Sequence, residues 1–79
     1  MLTRHGLRGE YDRPLTPRER DVMSLLRLGW TNRQIADRLC ITQQTVRNHV
    51  TNILRKLRAR NRTHAVVITL TTGDEEDLL

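Results

Sequence analysis

Apolar residues along the chain fall into four periodic segments, each opened by a capping signal. The first starts at Leu15-Thr16-Pro17-Arg18-Glu19. Thr16 suits the cap, Pro17 the first helical position, where its missing N–H is no loss, and Glu19 completes a capping box. Val22, Leu25 and Leu26 follow at i, i+3 and i+4, flanked by Met23 and Leu28, and predict one buried stripe. Gly29 stops the helix, being free to take the left-handed backbone. Thr31 opens a second, short helix with Gln34 as its capping-box partner. Trp30 and Ile35 have the spacing of a hydrophobic staple, and Ile35, Ala36 and Leu39 form the buried face. The segment ends near Leu39 or Cys40.

A third helix starts at Thr42, with Ile41 and Val46 repeating the staple spacing. Val46, Val50, Ile53, Leu54 and Leu57 run at i, i+4, i+7, i+8 and i+11, which predicts about four turns with a continuous core stripe. The opposite side carries Gln43, Gln44, Arg47, Asn48, Thr51, Asn52 and Arg55. Asn61 caps a fourth segment through Ala65, Val66, Val67, Ile68 and Leu70. Its β-branched residues would suit a strand, but no partner strand exists elsewhere in the chain and Asn61 is a good helix cap. The expected fold class is therefore all-α, with four helices over 15–71. Residues 1–14, without periodicity, are expected to form a flexible tail or linker, and 72–79 an acidic C-terminal tail.

Composition narrows the function. A chain of 79 residues without Phe, and with one Trp and one Tyr, must build its core from Leu, Ile and Val, and has little room for a large substrate cavity. The net charge of +5 is unevenly spread. Residues 16–70 hold eleven Arg or Lys against Glu19, Asp21 and Asp37, whereas 71–79 hold Asp74, Glu75, Glu76 and Asp77 and no base. The stretch 43–64 contains Arg47, Arg55, Lys56, Arg58, Arg60 and Arg62 and no carboxylate. Such a field favours a polyanion through release of counterions from phosphates. Cys40, the lone cysteine, allows neither an internal disulfide nor a four-ligand zinc site, so a reducing compartment, the cytoplasm, is expected. No apolar run approaches membrane-spanning length, and the first residues lack a secretory apolar segment. With no Gly-rich phosphate loop, paired carboxylates, metal-spaced Cys/His set or nucleophile beside a base, no enzyme, metal or cofactor is expected.

A short helix, a tight connection at Cys40-Ile41 and a longer helix with a polar outer face make a helix-turn-helix pattern. The second helix is held down by its apolar stripe while its outer face enters a major groove about 12 Å wide. That face must avoid carboxylates and offer Arg, Asn, Gln and Thr to base edges and phosphates. The stretch 43–55 meets both demands: Arg47 suits a forked pair with guanine, and Asn48 or Gln44 a pair with adenine.

These residues resemble the LuxR-type (GerE-type) helix-turn-helix domain. The resemblance runs from Leu15-Thr16-Pro17-Arg18-Glu19-Arg20 through Gly29 and Asn32-Arg33-Gln34-Ile35-Ala36-Asp37-Arg38-Leu39. It continues through Thr45-Val46-Arg47-Asn48-His49-Val50 and Thr51-Asn52-Ile53-Leu54-Arg55-Lys56-Leu57 to Asn61-Arg62-Thr63-His64-Ala65-Val66. It implies a four-helix domain of bacterial transcription regulators that binds inverted-repeat double-stranded DNA as a homodimer through its last helix. By matching position, it implies base contacts from Arg47, Asn48 and Thr51, with Gln44 beside them. Phosphate contacts are implied for Thr42, Gln43 and Thr45 and for Arg55, Lys56 and Arg60. Val67 and Leu70 are expected at the dimer interface. The sequence departs from the resemblance at Trp30, where a smaller aliphatic is usual, and at Cys40, where glycine or an aromatic is frequent. A protein-interaction module, pairing with a related regulator or with RNA polymerase, is the competing function. Binding by charge alone, without base preference, is a third.

Overall fold

Each helix begins where a short polar side chain takes over an amide that the first turn leaves unpaired. The computed structural model describes residues 14–71, and within them four helices and no strand. These are α1 (Pro17–Arg27), α2 (Asn32–Leu39), α3 (Gln43–Leu57) and α4 (Arg62–Thr71). Thr16 and Thr31 close full capping boxes. The Glu19 amide donates to Thr16 Oγ1 at 3.1 Å while Glu19 Oε1 accepts from the Thr16 amide at 2.9 Å. Gln34 and Thr31 make the same reciprocal pair at 3.1 and 2.8 Å. Thr42 lies just outside α3 and accepts from the Thr45 amide at 3.0 Å. Asn61 Oδ1 accepts from the His64 amide at 2.8 Å, which starts α4 as its sequence suggested.

The helices end by left-handed turns. At α1, Gly29 adopts φ +83°, and the Gly29 and Trp30 amides return to the carbonyls of Leu26 and Leu25. The ends of α2 and α3 are built the same way without glycine. Cys40 has φ 59° and Arg58 φ 57°, with the next amide in each case, Ile41 or Ala59, bonded to a carbonyl five residues back.

The core joins all four helices: Val22, Met23 and Leu26 of α1, Ile35 and Ala36 of α2, Val46, Ile53 and Leu57 of α3, and Ala65 of α4. Helix α3 packs against α1, α2 and α4 and is the element the others surround. The α1 stripe is rotated from its expected position. Met23 is fully buried, Leu25 is half-buried, and Leu28, expected to flank the core, is 68% exposed at the helix end. The buried line is Glu19, Val22, Met23 and Leu26. A charged residue at one end of a core stripe conceals the period from a hydrophobicity pattern. In α4 the buried residues are Ala65 and Thr69. The hydroxyls of Thr69 and Thr71 donate to carbonyls of the preceding turn, a rotamer open to Thr in a helix. Residues 1–13, expected as most of the N-terminal tail, and 72–79, expected as the acidic tail, lie outside the described residues.

Candidate nucleic-acid interface

Helix α3 divides cleanly into two faces. Val46, Ile53 and Leu57 are buried, with Val50 and Leu54 partly buried beside them, so this stripe fixes the rotation of the helix about its own axis. Gln43, Gln44, Arg47, Asn48, Thr51 and Arg55 consequently lie exposed on the other side. Positions 44, 47, 48, 51 and 55 follow i, i+3, i+4, i+7 and i+11, a single helical face. Helix α3 carries no carboxylate, and its last turn carries Arg55 and Lys56.

The polar face is internally bonded. Arg47 Nη2 donates to Gln44 Oε1 at 3.0 Å, and Gln44 Nε2 donates to Asn48 Oδ1 at 3.0 Å. One turn beyond Thr51, Arg55 Nη1 donates to Asn52 Oδ1 at 3.1 Å. At the helix start the Thr42 hydroxyl donates to Thr45 Oγ1 at 2.9 Å. Thr42 and Gln43 are exposed and Thr45 is half-buried. The structure thus brings Gln44, Arg47 and Asn48 into one hydrogen-bonded group, with Thr51 exposed one turn further along.

Lys56, expected among the phosphate contacts, is turned inward. Its Nζ lies 2.7 Å from Glu19 Oε1, with side-chain exposures of 13% and 5%, and it also reaches the Pro14 carbonyl at 3.4 Å. Burial opposes ionisation of the Glu19 carboxyl. The Lys56 hydrogen bond, the Thr16 amide and the Lys56 charge outweigh that cost and hold its pKa below the ordinary value of 4.5. The ammonium therefore ties the last turn of α3 to the cap of α1. The sequence carried one signal of this: Lys56 stands three residues after Ile53, beside the buried stripe rather than opposite it. Arg60 is exposed, and its amide donates to His64 Nδ1 at 2.9 Å, which closes the turn into α4.

Arg62 is a structural residue that pattern reading did not single out. Its guanidinium donates to Asn32 Oδ1 at 2.8 Å and to the Trp30 carbonyl at 3.0 Å, so the start of α4 is tied to the α1–α2 turn. The periodic pattern reports only which face of a helix is apolar. It does not report a fork reaching across thirty residues of sequence. Val67 and Leu70, expected at the dimer interface, are 50% and 58% exposed on α4.

Residues 13–69 match the sequence family described as bacterial regulatory proteins, luxR family. The chain belongs to the luxR family. Its four described helices are consistent with the helix-turn-helix domain of that family, with α2 and α3 as the motif. Among its relatives is the spore germination protein GerE of Bacillus subtilis, 45% identical over 62 residues that cover 78% of this chain and 84% of that protein. The transcriptional regulatory protein DegU of Brevibacillus brevis is 45% identical over 67 residues, 81% of this chain and 28% of DegU. The nitrate/nitrite response regulator protein NarL of Escherichia coli is 47% identical over 53 residues, 67% of this chain and 24% of NarL. This luxR-family chain thus spans about a quarter of the length of the DegU and NarL relatives and most of the length of GerE. Among its described residues no helix is long and apolar enough to cross a membrane, and no three His, Cys, Asp or Glu side chains form a metal-holding group.

Proposed function

We propose that this domain binds double-stranded DNA sequence-specifically and acts in transcription regulation, with α3 lying in the major groove. One observation carries the reading: a helix rotated by its buried stripe so that an acid-free face of Arg47, Asn48 and Thr51 is exposed. Arg47 offers a donor fork to guanine, and Asn48 an amide to the neighbouring base edge. Thr51 lines the same face with a short side chain suited to a thymine methyl group. Thr42, Gln43 and Thr45 at the helix start, where amides and the helix dipole favour an anion, hold one phosphate strand. Arg55 and Arg60 hold phosphates at the other end. Lys56 is left out of this set because Glu19 already neutralises it. Membership of a family of bacterial regulatory proteins and kinship to a transcriptional regulatory protein support the reading.

Binding as a homodimer through α4 is part of the proposal, since Val67 and Leu70 leave apolar surface uncovered. The same two residues are what favour the alternative of a protein-interaction module. The test is Arg47→Ala against sequences selected from a random duplex pool. A loss of about 1–3 kcal/mol confined to one base position supports base readout. Equal weakening on every sequence makes Arg47 a phosphate contact and removes the assignment.

A further inference from the structure

The Arg47–Gln44–Asn48 group has a fixed hydrogen-bond polarity. A guanidinium has donors and no acceptor, so the atom of Gln44 that faces Arg47 must be its carbonyl oxygen. The Gln44 NH2 group is then obliged to face Asn48, and Asn48 must receive it on Oδ1. One residue thereby sets the orientation of the Asn48 amide: its oxygen is engaged along the helix, and its Nδ2 hydrogens are left to offer. Arg47 and Asn48 stand one position apart on the exposed face, and both present donors.

From this we infer that Gln44 is a positioning residue that sets the base preference of α3 by aligning Arg47 and Asn48 as donors, so the base edges they meet are acceptor edges. In the major groove guanine offers two such acceptors, O6 and N7, whereas adenine pairs its N7 acceptor with an N6 donor, thymine offers O4 alone and cytosine only the N4 donor. Guanine is thus expected opposite Arg47 and opposite Asn48. The inference rests on the DNA-binding reading above and deepens it. It changes the part taken by Gln44 itself, whose amide oxygen and amide nitrogen each bond a neighbouring side chain.

Substitutions at position 44 separate the possibilities, because Gln44 is exposed on the polar face of α3. Sequences are selected from a random duplex pool by the wild-type domain and by Gln44→Ala, Gln44→Glu, Arg47→Ala and Asn48→Ala, with helicity checked by circular dichroism. The Arg47 and Asn48 variants mark which base position each side chain reads. Gln44→Ala is expected to loosen preference at both of those positions and at no other. Gln44→Glu can only accept. It keeps the Arg47 contact but turns Asn48 over, so that Nδ2 faces the carboxylate and Oδ1 faces outward. Preference at the Asn48 position is then expected to move from guanine to adenine or cytosine while the Arg47 position holds. Gln44→Ala leaving both positions unchanged, or removing preference at a third position of its own, overturns the inference. A wild-type domain that selects no sequence overturns the DNA reading beneath it, a result distinct from either.

Discussion

Glu19 and Lys56 show how a single pair can join the cap of one helix to the end of another. The Glu19 carboxylate serves the capping box through Oε1 and accepts the Lys56 ammonium on the same oxygen, nearly out of water. Its pKa is lowered in the folded domain, so its contribution to stability is present above the ordinary carboxylate value of 4.5 and is lost as pH falls through the lowered one. Glu19→Gln keeps the shape and removes the charge. Urea unfolding at pH 7 is expected to find it less stable than wild type by about 1–3 kcal/mol. The gap narrows as pH falls through the lowered pKa, because the wild type then loses the same charge by protonation. A gap that stays constant with pH contradicts the pairing. At this scale the sequence was least legible. The place of Glu19 in a capping box and of Arg47 on the polar face could be read from local spacing, but Lys56 is one of six bases between 43 and 64. Only the packing of α3 against α1 decides that it faces a carboxylate.

At the scale of elements, local chemistry was enough to read nearly everything. Thr16, Thr31, Thr42 and Asn61 all cap as their spacing suggested, because the oxygen of a capping side chain and the amide it takes lie within one turn of chain. Helix ends were harder to read. Gly29 announces its left-handed turn, while Cys40 and Arg58 adopt φ 59° and 57° with nothing in their side chains to signal it. In each case the next amide, Ile41 or Ala59, closes the turn on a carbonyl five residues back, and that turn carries the cost of the left-handed backbone. Cys40→Gly is accordingly expected to stabilise the domain. Relief of about 1–2 kcal/mol of left-handed strain is partly offset by the greater freedom of glycine in the unfolded chain, leaving about 0.5–1 kcal/mol. Thermal unfolding followed by circular dichroism reads this directly, and a lower melting temperature for Cys40→Gly contradicts it. The four-helix fold and the two faces of α3 were therefore available from period and caps. The rotation of α1, with Met23 inside and Leu28 outside, was not, since the buried line begins at a charged residue, Glu19.

At the scale of the whole molecule, three helices hold α3 at a defined rotation and leave its outer face exposed. A second surface, Val67 and Leu70 on α4, stays apolar and open. If that surface pairs two copies, Leu70→Glu leaves the melting temperature of the isolated domain unchanged and abolishes cooperative binding to a duplex with two half-sites. Retained cooperativity removes α4 from the interface. The central claim is that base edges, and not charge alone, decide where this domain binds. It is tested most directly by titrating the wild-type domain with a selected duplex and a random one across a range of salt. The account predicts that affinity for both falls with salt while the selected duplex remains preferred by roughly 10³-fold or more. Equal affinity for the two at every salt concentration would contradict it.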